Sequence, residues 1–227
     1  MNGLNLEKLT IGYRSGRAKM KIVAADLSTK LESGRLTCLL GRNGSGKSTL
    51  LRTLADLQEP LGGQIFPKTQ GKCAVVLTER LDLRNFSAAE VVGLGRTPHT
   101  NFWGTLRRED RAIVAEAMKL VGIDPLANAD FATLSDGERQ KVLIAKALAQ
   151  QTPLIVLDEP TAFLDFPSKR EIFNLLRHLA HEQGKTILLS THDIALAAEF
   201  ADEIWFLDGG KLRTGSVGEL PPETLFQ

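Results

Sequence analysis

The sequence predicts an α/β fold with a largely parallel β-sheet, an N-terminal antiparallel β subdomain and an inserted helical subdomain. Short apolar runs bounded by glycine and polar turns alternate with longer segments of helical period, an order typical of a parallel sheet covered by helices. A stretch of helical period from about residue 78 to residue 133 interrupts this order. The 227 residues are 43% hydrophobic, enough for one domain over residues 1–227.

The first elements follow from local patterning. The chain through about Arg35 is predicted to form antiparallel strands that end at a Ser33-Gly34 turn. Strand Leu36–Leu40 then leads into a glycine loop, and a helix is expected from Ser48 to about Leu57.

The inserted subdomain and the second half of the chain follow the same rules. The remaining predicted elements, in chain order, are a helix opened by a capping box at Ser87-Ala88-Ala89-Glu90, a helix over Arg107 to Val121, a helix from about Asp136 to Gln150, strand Leu154–Leu157, a helix opened by Ser168-Lys169-Arg170-Glu171, strand Thr186–Ser190 and a hairpin that turns at Gly209-Gly210.

Bulk properties exclude several classes of protein. The formal net charge is +1 and the basic residues are scattered, so no nucleic-acid groove is expected. Met1 to Tyr13 lacks the features of a signal peptide, and no apolar run approaches the length that spans a bilayer. Cys38 and Cys73 lie in apolar, strand-like runs, where we expect reduced, structural thiols in a cytoplasmic protein.

A glycine-rich loop carries the first functional prediction. The residues from Gly41 to Ser48, GRNGSGKS, have the pattern in which backbone N–H groups wrap phosphates. Lys47 adds positive charge, Ser48 offers a hydroxyl to Mg²⁺, and the following helix directs its N-terminus at the same anion. Such patterns also occur by chance in ordinary turns, but the flanking strand and helix favour a phosphate site. The predicted ligand contacts here are Gly41, Asn43, Gly44, Ser45, Gly46, Lys47, Ser48 and Thr49.

Two carboxylates follow a buried strand. Asp158 and Glu159 come directly after the apolar run Leu154–Leu157, at the strand end where open α/β sheets bind ligands. Asp158 suits the shell of Mg²⁺, and Glu159 is placed to polarise an attacking water. Taken alone, the pair is equally consistent with a strand that ends in solvated acids.

At this point the chain resembles the ABC ATPases. The segment Leu134–Glu138, LSDGE, followed by Arg139-Gln140, is similar to the signature motif of that family, and the resemblance spans nearly the whole chain in the family's order. It implies an ATPase that uses ATP and Mg²⁺, with the signature at 134–138 placed after a helical subdomain at 78–133. The resemblance also assigns nucleotide-site roles to Tyr13, Ser135, Gly137, Glu138, Asp165 in the D-loop and His192 as the switch histidine.

Each residue that the resemblance assigns to the site has an expected physical role. Tyr13 is expected to stack on adenine, although it could instead plug the edge of the core. Ser135 and the N–H groups that follow it form an anion site, which in the family completes the nucleotide site of the opposite subunit. The resemblance therefore implies a homodimer. His192 is expected to sense the γ-phosphate, so the predicted catalytic residues are Glu159, His192 and Lys47.

Two departures from the family stand out. Where the family has a glutamine that contacts the metal, this chain has Thr78. We expect Thr78 to reach Mg²⁺ only through water, and Glu79 is the alternative residue that could reach the same ion. Asp136 replaces the first glycine of the signature, and we expect it to be a helix N-cap that points away from the phosphate.

The segment from Val91 to Thr100 is similar to one found in ATPase subunits of importers for iron–siderophore complexes, haem and cobalamin. The resemblance thus implies a separate polytopic permease, a separate substrate-binding protein and a peripheral location on the cytoplasmic face of the membrane. Phe102 and Trp103 would add packing area for the permease. An importer for another small solute, a soluble ABC ATPase acting on nucleic acid, and a GTPase or kinase are the alternatives. The transported molecule does not follow from the sequence.

Overall fold

The structure is a computed structural model that describes residues 3–15, 19–78, 83–101, 104–222 and 225. It contains a six-stranded sheet, whose strands in spatial order are β5 (Cys73–Val76), β6 (Leu154–Asp158), β7 (Thr186–Ser190), β3 (Leu36–Leu40), β8 (Glu203–Asp208) and β9 (Lys211–Ser216). A three-stranded sheet has the order β2 (Lys19–Leu31), β1 (Leu4–Ser15) and β4 (Gly62–Phe66). Strands β5, β6, β7, β3 and β8 are mutually parallel, and only β9 runs antiparallel to its neighbour. The smaller sheet is antiparallel throughout. The fold class predicted from the sequence is confirmed.

The α-helices have the following bounds in chain order: α1 Lys47–Leu54, α2 Ala88–Gly93, α3 Arg108–Leu120, α4 Asp136–Ala149, α5 Phe166–His181 and α6 Ile194–Phe200. A 3-10 helix, Leu94–His99, continues from α2.

The central strands β3, β6 and β7 are buried on both faces. Successive side chains of a strand point to opposite faces, so each strand feeds two separate cores. Leu36 and Leu40 join a core with the helices α2 to α6, whereas Leu39 joins a core with α1 and the antiparallel sheet. Helix α1, which follows the glycine loop, is thus held between the two sheets.

Helices α2 and α3 pack against α4 in the first of these cores. The predicted capping box at the start of α2 is present: the Ser87 hydroxyl accepts the N–H of Glu90, whose carboxylate accepts the N–H of Ser87. Because α4 packs with α2 and α3, the helical layer is continuous with the chain beyond residue 133. The domain limits of 78 and 133 stay a prediction.

Two helix bounds predicted from the sequence differ from the structure. Helix α1 ends at Leu54 rather than near Leu57, because Asp56 adopts a left-handed φ of 60°. Helix α5 begins at Phe166 rather than at Ser168. The carboxylate of Asp165 accepts the N–H of Ser168, so Asp165 is the N-cap and Ser168 lies inside the first turn.

Both cysteines are free thiols, and burial raises the pKa of each, that of Cys73 to about 12. Cys38 lies within the core that contains Leu36 and Leu40. Among the described residues, no helix is both long enough and apolar enough to cross a bilayer.

Candidate functional site

The site lies where three neighbouring parallel strands end. Strands β6, β7 and β3 are adjacent in the sheet, and their carboxyl ends meet at one edge. The glycine loop follows β3, Asp158 and Glu159 stand at the end of β6, and Ser190 closes β7 with His192 two residues on. In register, Ser190 pairs with Asp158 on one side and with Leu39 on the other.

A cavity of about 540 Å³ opens at this edge. The predicted site residues that line it are Tyr13, Asn43, Gly44, Gly46, Lys47, Ser48, Thr49 and Glu159, and Lys21, Ile22 and Val23 of β2 complete the wall. The structure therefore brings the loop, the aromatic residue and the carboxylate of Glu159 to a single space. A groove of this size is within the range that holds a small ligand.

The loop depends on glycine at two positions. A Cβ on Gly46, where φ is 106°, would lie 2.3 Å from Cγ1 of Val23, and one on Gly41 would lie 2.2 Å from the carbonyl oxygen of Leu207. The loop therefore packs closely against both β2 and β8. Ser45 has a buried hydroxyl oxygen without a hydrogen-bond partner in the described structure. Such an orphaned polar atom fits a loop that binds a polar ligand.

Lys47 is 6% exposed, and its ammonium donates to the carbonyl oxygens of Gly41 at 2.9 Å and Arg42 at 3.3 Å. Desolvation by burial lowers the pKa of Lys47, while the negative charges of Glu159 and Asp158 act in the opposite direction. The carboxylates are therefore close enough to stabilise the charged ammonium.

Tyr13 lies in β1 with 44% of its surface exposed. Its hydroxyl shares a 2.7 Å hydrogen bond with the hydroxyl of Thr49, at the start of α1. The ring is thus tethered beside the glycine loop and does not fill the edge of the core.

Asp158 and Glu159 are held by neighbouring hydroxyl groups. Ser190 donates to Oδ1 of Asp158 at 2.7 Å and accepts the N–H of Glu159 at 2.8 Å. Thr78 donates to the carbonyl oxygen of Asp158 at 2.7 Å. The sequence had not singled out Ser190, because a serine at the end of an apolar strand gives no signal of its partners.

Glu159 and His192 contact each other directly. Nε2 of His192 lies 2.5 Å from Oε1 of Glu159, and both side chains are partly exposed. Next in the chain to His192, Asp193 pairs with Lys169 of α5 at 2.9 Å. This pairing connects the residue after His192 to the helix that Asp165 caps.

The signature residues lie at the start of α4. Ser135 is the N-cap of α4: its hydroxyl donates to Glu138 at 2.6 Å and accepts the N–H of Glu138 at 3.3 Å. The hydroxyl and the backbone N–H of Ser135 both donate to the carboxylate of Glu138, and these two hydrogen bonds lower its pKa. The expectation that Asp136 is the N-cap is wrong, because Ser135 takes that position and Asp136 is the first residue of α4, 3.5 Å from Arg139.

The signature and D-loop residues do not share the cavity of Lys47. Among the described residues, Ser135, Gly137, Glu138 and Asp165 are absent from its wall. A Cβ on Gly137 would lie 3.5 Å from Oγ of Ser168, so the start of α4 lies against the start of α5. The hydrogen bonds from Ser168 lower the pKa of Asp165.

The segment from Val91 to Thr100 has a structural role. A Cβ on Gly95 would lie 2.2 Å from the carbonyl oxygen of Lys146 in α4, so the 3-10 helix needs glycine to approach α4. Arg96 is buried, pairs with Asp110 at 3.0 Å and donates to the carbonyl oxygen of Ala149 at 2.7 Å. The predictions that involve Glu79, Phe102 and Trp103 lie outside the described residues.

The donor set fits Mg²⁺ in part. Asp158 is 7% exposed and Ser48 lines the cavity, so both offer oxygen, the ligand atom that Mg²⁺ prefers. The described residues contain no group of three or more His, Cys, Asp or Glu side chains suited to a metal. The remaining ligands would have to be phosphate oxygens and water, as is usual for this ion.

Comparison with known proteins gives consistent matches. The profile of the family described as ABC transporter matches residues 24–162. The iron(3+)-hydroxamate import ATP-binding protein FhuC of Bacillus subtilis is 35% identical over 240 residues, covering 100% of this chain and 87% of that protein. The hemin import ATP-binding protein HmuV of Shewanella denitrificans is also 35% identical, covering 99% of this chain and 92% of that protein.

Solved structures agree with these matches. A transporter of the metal-chelate type in an inward-facing conformation superposes with a TM-score of 0.88 at 29% identity, over 98% of this chain and 88% of that chain. A dimeric ATP-binding cassette in a post-hydrolysis state, bound to ADP and Pi, superposes with a TM-score of 0.77 at 28% identity, over 94% of this chain and 98% of that chain.

Proposed function

The chain belongs to the ABC transporter family, as its motifs predicted, and we propose that it energises import through a separate transmembrane permease. It is an ATPase, as are the cassettes that it resembles. The observation that carries the proposal is the meeting of the glycine loop, Lys47 and Glu159 around one cavity at the carboxyl edge of the sheet. Related import subunits are similar over the whole chain.

The glycine loop and Lys47 are assigned to phosphate binding. The ammonium of Lys47 donates hydrogen bonds to the carbonyl oxygens of Gly41 and Arg42. A triphosphate is a stronger, charged acceptor than a carbonyl oxygen, so binding should draw the ammonium away from the loop. Ser48 and Asp158 are the residues that would hold Mg²⁺, which when bound neutralises phosphate charge.

Glu159 is assigned to the attacking water. Its carboxylate reaches the cavity and contacts His192, so a proton taken from water has a neighbouring imidazole to stabilise it. His192 is in turn assigned to sensing the γ-phosphate. Tyr13 is assigned to the adenine ring, because its partly exposed ring lies on the cavity wall.

The active form is proposed to be a homodimer. Ser135 and the start of α4 form an anion-binding surface that does not share the cavity of Lys47. Each such surface would complete the site of the other subunit, as the dimeric form of a related cassette supports. The Ser135 hydroxyl, now donated to Glu138, would exchange that acceptor for a phosphate oxygen.

The transported solute is proposed to be an iron chelate, haem or cobalamin. The names of two relatives and one structural neighbour support this class. The segment from Val91 to Thr100, the importer-like segment, contains Gly95 and Arg96, whose presence is explained by packing against α4. The proposal therefore rests mainly on the whole-chain similarity. A separate substrate-binding protein and a position on the cytoplasmic face of the membrane, held by the permease, belong to the same proposal.

Two experiments test this proposal. Affinity purification from the native cell should recover a polytopic membrane protein, whereas co-purifying nucleic acid and no membrane protein would favour a soluble ABC ATPase. Separately, turnover per subunit should rise with protein concentration. Mixing Lys47→Ala subunits with Ser135→Arg subunits should restore at most one good site per mixed dimer, and full activity from a proven monomer would refute the composite site.

A further inference from the structure

The end of β6 is held from both sides by side-chain hydroxyls. Ser190 is fully buried at the end of β7, directly opposite Asp158 in the parallel register. Its single proton goes to Oδ1 of Asp158, which leaves its oxygen to accept the N–H of Glu159. Only a hydroxyl of this size serves as donor and acceptor at the same point.

The backbone of Glu159 needs such support. Its φ is 47°, in the left-handed region that residues other than glycine seldom adopt. A strained conformation persists only where surrounding contacts fix it. The hydrogen bond from the N–H of Glu159 to Ser190 is one such contact, and it lies directly at the strained residue.

Thr78 acts on the same point from the other side of β6. Strand β5, which Thr78 follows by two residues, is the other neighbour of β6. The hydroxyl of Thr78 donates to the carbonyl oxygen of Asp158, the oxygen of the peptide group that carries the N–H of Glu159. One peptide group is therefore held at its oxygen by Thr78 and at its nitrogen by Ser190.

We propose that Ser190 and Thr78 are positioning residues that fix the Asp158–Glu159 peptide group and thereby direct the Glu159 carboxylate toward the attacking water. The proposal rests on the catalytic role given to Glu159 above. It also gives Thr78 a role that needs only a hydroxyl, at the position where the family resemblance implies a glutamine. Rotation of the peptide group would move the Glu159 side chain, and small misplacements of a catalytic group cost much of the rate.

The test compares kcat, the dissociation constant for ATP and the Mg²⁺ concentration for half-maximal hydrolysis among variants. Ser190→Ala should lower kcat about tenfold or more, with the dissociation constant for ATP within about threefold of wild type, because the phosphate loop is untouched. Thr78→Val should lower kcat about threefold to tenfold, and Thr78→Ser should restore it to within about twofold. Thr186→Val, at the buried opposite end of β7, is the control for loss of a structural hydroxyl and should leave kcat unchanged.

The outcomes separate this inference from the proposed function. A wild-type protein that neither binds nor hydrolyses ATP would overturn the proposed function itself. Wild-type hydrolysis with Ser190→Ala within about twofold of wild type, or reduced no more than Thr186→Val, would overturn the positioning role. If Ser190→Ala does not fold, Ser190→Cys keeps the volume with a weak donor, and a kcat equal to wild type overturns the role equally. If Thr78→Val raises only the Mg²⁺ requirement, Thr78 is a metal ligand and its positioning role is refuted.

Discussion

Replacement of Gly95 by alanine tests whether the importer-like segment is shaped by packing against α4. Its Cβ would lie 2.2 Å from the backbone carbonyl oxygen of Lys146 and 3.2 Å from Cβ of Ala149. The first distance is about 1 Å short of an ordinary non-bonded contact. A backbone atom inside a packed helix cannot rotate away as a side chain can, so the 3-10 helix and α4 must separate.

The expected cost follows from these contacts. Overpacking of this kind costs about 1–3 kcal/mol, and alanine recovers about 0.5 kcal/mol by restricting the unfolded chain. The net loss of about 0.5–2.5 kcal/mol should lower Tm by roughly 1–10 °C in a chain of this length. Differential scanning fluorimetry and urea unfolding measure both quantities.

The matched control for this variant is Gly218→Ala. A Cβ on Gly218 meets no atom within 4 Å, so this substitution should leave Tm within about 1 °C or raise it slightly. A Gly95→Ala protein as stable as Gly218→Ala would refute the packing role of Gly95. The segment would then have to be explained by contact with a partner.

The site and the core offer two further predictions. Tyr13→Ala should raise the dissociation constant for ATP about fivefold to a hundredfold through loss of stacking. Tyr13→Phe loses only the hydrogen bond to Thr49 and should change that constant less than about threefold. Equal effects of the two variants in nucleotide titrations would contradict stacking. Burial raises the pKa of Glu203, so ionisation disfavours the folded state as pH rises above the usual carboxyl range. Glu203→Gln should therefore raise Tm at pH 8 and lose that advantage near pH 4, and an effect independent of pH would contradict this assignment.

Much of the fold followed from local signals. The buried strands Leu36–Leu40 and Thr186–Ser190 have the predicted bounds, because fully buried strands are continuous apolar runs that end at glycine or polar residues. The capping box at Ser87 and Glu90 is likewise local, since both partners lie within one helical turn.

Features that depend on long-range contacts could not be predicted. Ser190 acquires its role from Asp158 and Glu159, more than 30 residues earlier. Gly95 is needed because α4, some 50 residues later in the chain, passes against it. Even the cap of α5 was misplaced, because Asp165 and Ser168 are both good capping residues and only the three-dimensional contact decides between them.

The most direct test of the account is hydrolysis and dimer formation by Glu159→Gln. The amide preserves the shape of Glu159 but cannot accept a proton from water. We expect ATP binding to persist, hydrolysis to fall at least about a hundredfold, and gel filtration with ATP and Mg²⁺ to show a stable dimer. Wild-type turnover in this variant would contradict the account and leave His192 as the next candidate for the catalytic base.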